Sequence, residues 1–113
     1  MDIERRLTAG VTVLSVSGQL DLFSAKDLRQ ATEELRETGV NRLVIDFSSV
    51  TYIDSSGVGA LLNIYSLART GELKIRFANI HGPVAHVIEL TKLKDYFPIS
   101  ENLESAFAEL GAS

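Results

Sequence analysis

The chain has 113 residues, 45% of them apolar and 23% charged, with a formal net charge of −4. This length and balance are enough for one folded domain with a real core and argue against disorder, so residues 1–113 are read as a single domain. The eleven scattered basic residues argue against a nucleic-acid partner, and the lack of cysteine removes disulfides, thiolate catalysis and thiolate metal sites.

In chain order, Ile3–Thr8 and Val11–Val16 read as two strands joined by a tight turn at Ala9-Gly10, which is a hairpin. After a loop carrying Gly18-Gln19-Leu20-Asp21, a first helix is predicted from Ser24 to the stop at Gly39. Ala25, Leu28 and Leu35 share one face of it, and Ser24 and Asp27 have capping-box spacing. Leu43-Val44-Ile45-Asp46-Phe47 is nearly all apolar, as a strand covered on both faces should be, and is expected in the middle of the sheet. A polar loop from Ser48 to Asp54 leads to a second helix ending near Thr70-Gly71, with Val58, Leu61, Leu62 and Tyr65 at the spacing of one buried stripe.

Leu73–Phe77 alternates apolar and basic residues, the pattern of a strand with one wet face. Gly82-Pro83 opens a third helix bearing Val84, Val87 and Ile88, because proline at the first helical position loses no needed N–H. A short extended piece at Phe97-Pro98-Ile99-Ser100 precedes a last helix capped by Asn102, with Leu103, Ala106, Phe107 and Leu110 on one face and Gly111 closing it. The order predicts an α/β layered domain: a mixed sheet of four to five strands that starts with a hairpin, then alternating strands and about four helices, paired in parallel through right-handed crossovers.

The segment with the most chemistry is Ile53-Asp54-Ser55-Ser56-Gly57-Val58-Gly59, which carries the most apolar strand into the second helix. Asp54, Ser55 and Ser56 stand where backbone N–H groups lack helical partners, so plain N-capping explains them. Gly57 and Gly59 are harder to explain, since each costs the helix roughly 1 kcal/mol relative to alanine, and they imply a need for bare backbone such as the close approach of another molecule. Val58 is either an exposed apolar contact or a member of the buried stripe. The carboxyl end of a parallel strand is also where α/β proteins place their sites, and a helix N-terminus there favours an anion such as a phosphoryl group on a serine.

That run, together with Gly18-Gln19-Leu20-Asp21 and the order of elements along essentially the whole chain, resembles the STAS domains of bacterial anti-sigma-factor antagonists. The resemblance implies that Ser55, the serine directly after the aspartate, is phosphorylated by a partner anti-sigma factor that is an ATP-dependent serine kinase. It also implies that a PP2C-type phosphatase reverses the modification. The dephosphorylated form would bind the anti-sigma factor and free a sigma factor, with Asp21 near the partner surface and Asp54, Ser56, Gly57, Val58 and Gly59 around the acceptor. Ser56 is the competing acceptor, and the hydroxyls alone do not rank the two. The alternative is an unphosphorylated STAS scaffold in a stress-signalling or lipid-transport complex.

Other chemistries find little support. The serines lack a Gly-x-Ser-x-Gly elbow, and His81 and His86 are expected together on the third helix, facing solvent, so no enzyme is expected. Gly57-x-Gly59 lacks the third glycine of a dinucleotide fingerprint because Leu62 occupies it, and no phosphate-loop lysine follows, so no cofactor is expected. Asp21, Asp46 and Asp54 have no metal-ligand spacing. Glu33-Glu34-Leu35-Arg36-Glu37 reads as a solvated helix face, and Lys74 and Arg76 as a wet sheet face. No apolar run reaches membrane-spanning length and Met1–Arg6 carries no secretion signal, so a cytoplasmic location is expected.

Overall fold

A two-residue turn starts the sheet: Ala9 and Gly10 both have positive φ (52° and 77°), the twist that matches paired antiparallel strands, and Thr8 faces Val11 across it. In the computed structural model, which describes residues 1–111, nine elements follow in order. They are β1 (Asp2–Thr8), β2 (Val11–Leu20), α1 (Leu22–Glu37), β3 (Arg42–Ile53), α2 (Ser55–Thr70), β4 (Lys74–Ala78), α3 (Gly82–Leu90), β5 (Ile99–Ser100) and α4 (Leu103–Glu109). The strands form one mixed sheet in the order β1-β2-β3-β4-β5, antiparallel only between β1 and β2.

β3 is the middle strand, as its apolar run predicts. Leu43, Ile45 and Phe47 pack with Leu28 and Leu35 of α1, Leu61 and Ile64 of α2 and Ile88 of α3 in the main core. Val44 enters a second cluster on the opposite face, with Val11, Val13 and Ala78 beneath Ala106 of α4 and Leu110. Burying each such side chain is worth roughly 1.5–3 kcal/mol, so the two clusters supply the main drive for the layered fold.

Three sequence expectations are corrected. The residues from Ser48 to Ile53 are strand, not loop, and β2 likewise runs on through Gly18-Gln19-Leu20 to pair Leu20 with Ile53. Register shifts at Ser15/Ser17 and Gly18/Gln19 break the simple alternation, so Val50 and Ile53 are buried while Ser48, Ser49, Thr51 and Tyr52 are exposed. A three-residue rhythm of this kind does not read as a strand. The outer face of β4 is also only partly wet, because α4 lies over it. Arg76 donates to Ser100 Oγ and the Ile99 carbonyl and pairs with Glu109 at 2.6 Å, while Lys74 stays exposed.

The third correction concerns helix boundaries. α1 is capped by Asp21, not Ser24: Asp21 Oδ1 accepts from the N–H groups of Phe23 and Ser24 at 3.0 Å, and Ser24 Oγ accepts from Asp21 N–H at 2.8 Å. The capping box is therefore three residues earlier than read, ahead of an apolar Leu22-Phe23 pair that masks it. In α2 the buried stripe is Gly57, Val58, Ala60, Leu61, Ile64 and Ala68, with Tyr65 half-buried and Leu62 at the exposed margin. Among the described residues no helix is long and apolar enough to cross a membrane.

Candidate functional site

β2 and β3 run side by side to Leu20 and Ile53, and each then delivers an aspartate that caps a helix. Asp21 caps α1, and Asp54 Oδ1 accepts from Gly57 N–H at 3.0 Å to cap α2. The Asp54 N–H donates to the Leu20 carbonyl at 3.3 Å, which ties the two caps together. Two helix N-termini, with their partial positive charge, thus open side by side at the carboxyl edge of the sheet.

Ser55 is the first residue of α2 and is exposed, whereas Ser56 is half-buried. Capping at this end falls to Asp54 alone, and neither serine hydroxyl has a hydrogen bond among the described residues. Ser55 is therefore free of structural duty. The sequence could not separate it from a capping residue because aspartate and serine serve equally well in that role.

The two glycines have different reasons. A Cβ on Gly57 would stand 2.4 Å from the Leu20 carbonyl oxygen and 2.6 Å from Ile53 Cγ1, so the close approach that excludes a side chain there comes from β2 and β3, not from another molecule. Gly59 is exposed with open space where a Cβ would stand. Val58 turns inward, 8% exposed within the main core, which decides between its two readings.

Asp21, half-buried at its cap, has its carboxyl held below the usual aspartate range. The Ser24 backbone N–H is the main cause, and desolvation opposes it. A depressed carboxyl stabilises the fold above its unfolded value, and that contribution is lost as pH falls through the folded value. Acidifying from pH 5 to below the ordinary aspartate value of about 3.9 should therefore loosen the first turn of α1, seen as lower protection of the Phe23 and Ser24 amides relative to their intrinsic exchange rates at each pH. Asp21→Asn should remove that pH dependence, and equal pH dependence in the variant would count against the cap as its source.

Between the two caps lies a shallow depression of about 360 Å³ lined by Gln19, Asp21, Leu22, Phe23, Tyr52 and Asp54. The sequence pattern gives Leu22, Phe23 and Tyr52 no special place, yet they are 66%, 83% and 45% exposed. The available signal is an apolar pair directly after Asp21 and ahead of the predicted helix start at Ser24. The other sequence candidates lie elsewhere. Asp46 is buried and accepts from Ser48 N–H and Asn79 Nδ2, pinning β3 to the end of β4. His81 precedes α3 as its N-cap residue and its Nε2 donates to the Ser48 carbonyl at 2.9 Å, while His86 is exposed on α3. Among the described residues no group of three His, Cys, Asp or Glu could hold a metal ion.

Comparison with known proteins finds the same fold. An anti-sigma F factor antagonist of Paenibacillus polymyxa is 26% identical, over 97% of this chain and 95% of its own. A solved anti-sigma factor antagonist from Mycobacterium paratuberculosis is 28% identical and superposes with a TM-score of 0.86, covering 97% of this chain and 93% of the other. The Bacillus cell fate determinant SpoIIAA, solved in its phosphorylated form, shares the fold at 18% identity, with a TM-score of 0.70 over 96% of this chain and 99% of its own. The profile of the STAS domain matches residues 2–106, and the chain belongs to the STAS domain family.

Proposed function

We propose that this chain is an anti-sigma-factor antagonist that works by reversible binding and is switched at Ser55. In its dephosphorylated form it binds a kinase-type anti-sigma factor in the cytoplasm and frees a sigma factor. The kinase then moves the γ-phosphoryl group of ATP to Ser55 Oγ. The bond to the ADP leaving group breaks, and the hydroxyl proton passes to a base on the kinase. A PP2C-type phosphatase hydrolyses the phosphate and restores the binding form. Asp21, Asp54, Ser56 and Gly59 form the partner-facing rim, and Gly57 and Val58 hold α2 against the sheet beneath it.

The observation that carries this reading is the Ser55 hydroxyl, exposed and without a hydrogen bond among the described residues at the meeting of two helix N-termini. The names of the Paenibacillus and Mycobacterium relatives support antagonism, and the phosphorylated Bacillus relative supports modification. Exposure favours Ser55 over the half-buried Ser56 as acceptor.

The test is intact-mass measurement after incubation with the cognate kinase and ATP. The chain and Ser56→Ala should each gain one phosphate, and Ser55→Ala none. An unchanged mass with a kinase of demonstrated activity would leave the scaffold reading in its place.

A further inference from the structure

The apolar surface beside Ser55 has no role in the fold. Leu22 and Phe23 open α1, but capping there belongs to Asp21 and Ser24, and the buried residues of α1 are Ser24, Ala25, Leu28, Thr32 and Leu35. A polar residue at either position would serve the helix as well, because the first turn gains nothing from exposed apolar side chains. Single exposed apolar residues are ordinary, but here Leu22, Phe23 and Tyr52 line one depression and share it with two carboxylates. Asp21 and Asp54 each use Oδ1 for capping, which leaves Oδ2 of both without a hydrogen bond among the described residues.

We infer that Phe23 is the apolar anchor of the partner interface, seated in an apolar pocket of the anti-sigma factor that is rimmed by a basic side chain facing Asp21 and Asp54. The inference rests on the proposed function, since it names the same partner, and adds which residue supplies the affinity. Charge complementarity selects this occupant: a partner presenting a guanidinium or ammonium group beside an apolar hollow satisfies both free carboxylate oxygens and removes the ring from water. Aromatic side chains ringed by polar contacts are the common form of an interface hot spot. Ser55, next to Asp54 in the chain, then controls the electrostatic half of the contact and Phe23 the apolar half.

Calorimetric titration of the cognate anti-sigma factor, without ATP, tests this with the wild-type chain, Phe23→Ala and Leu7→Ala. Leu7 is 73% exposed in β1 and lines no part of this depression, so it serves as the control. Phe23→Ala should weaken binding more than about tenfold while Leu7→Ala stays within twofold, both with wild-type amide spectra. In phosphorylation kinetics Phe23→Ala should raise KM and leave kcat unchanged, as expected for lost uniform binding. Wild-type binding that Phe23→Ala leaves within twofold would overturn the anchor and leave the functional reading standing. No wild-type binding would overturn both. Self-association of the chain that Phe23→Ala abolishes, seen by sedimentation, would replace the named occupant with a second copy and overturn the inference.

Discussion

Gly57→Ala should destabilise the fold by about 2 kcal/mol or more, while Gly59→Ala, two residues along the same helix, should stabilise it by up to about 1 kcal/mol. Both substitutions gain helix propensity of about 1 kcal/mol, so the difference comes from what the new methyl group meets. At Gly59 it meets open space. At Gly57 it meets the Leu20 carbonyl oxygen at 2.4 Å, a backbone atom that cannot swing aside and that also accepts from Asp54 N–H. Overpacking costs about 1–3 kcal/mol and occasionally more, and a backbone obstacle puts this site at the upper end. Urea midpoints for the two variants decide the matter, and a Gly57→Ala midpoint at or above wild type would contradict the geometry.

The second large effect is on binding. Ser55→Asp should weaken association with the anti-sigma factor at least tenfold, about 1.4 kcal/mol, while Ser55→Ala should bind like wild type. The new carboxylate stands beside Asp54 in a surface already carrying Asp21, and a partner matched to two negative charges is not matched to three. The fold should not suffer, because an acidic side chain in the first turn of a helix is favourable by about 0.3–1 kcal/mol. Amide shifts should stay confined to residues 54–59 and their immediate neighbours. Equal affinities of the aspartate and alanine variants, with both folded, would defeat the electrostatic explanation.

Much of the architecture is legible in the residues. The hairpin at Ala9-Gly10, the central strand at Leu43–Phe47 and the helix opening at Gly82-Pro83 all have local chemistry that points one way. The misread stretches are those where a distant element sets the outcome. Ser48–Ile53 is a strand because β2 continues beside it through two register shifts, and Arg76 leaves water because α4, about thirty residues away, folds back over β4. The site divides in the same way. Its position at a strand-to-helix junction follows from pattern, as does the candidate pair Ser55 and Ser56. Their difference in exposure, the joining of the two caps through Leu20 and Asp54, and the burial of Val58 depend on tertiary packing.

Gly57 shows how a correct signal can carry the wrong cause. A glycine early in a helix did mark a need for bare backbone, but its neighbour is the chain's own β2. Leu22 and Phe23 show the reverse, an apolar pair ahead of the predicted helix start at Ser24 that lies in the first turn of α1 and is surface. The first outcome is set by where β2 and β3 end and the second by which face of α1 packs on the sheet, and no local pattern encodes either.

The central claim is that a phosphoryl group on Ser55 turns a binding surface into a non-binding one. The most direct measurement is a calorimetric titration of the anti-sigma factor with the chain before and after stoichiometric phosphorylation, using protein shown by fragment mass analysis to carry the phosphate on Ser55. A group adding about −1.5 to −2 charge should abolish detectable binding or weaken it at least tenfold, and phosphatase treatment should restore it. Undiminished affinity of the Ser55-phosphorylated chain would contradict the account.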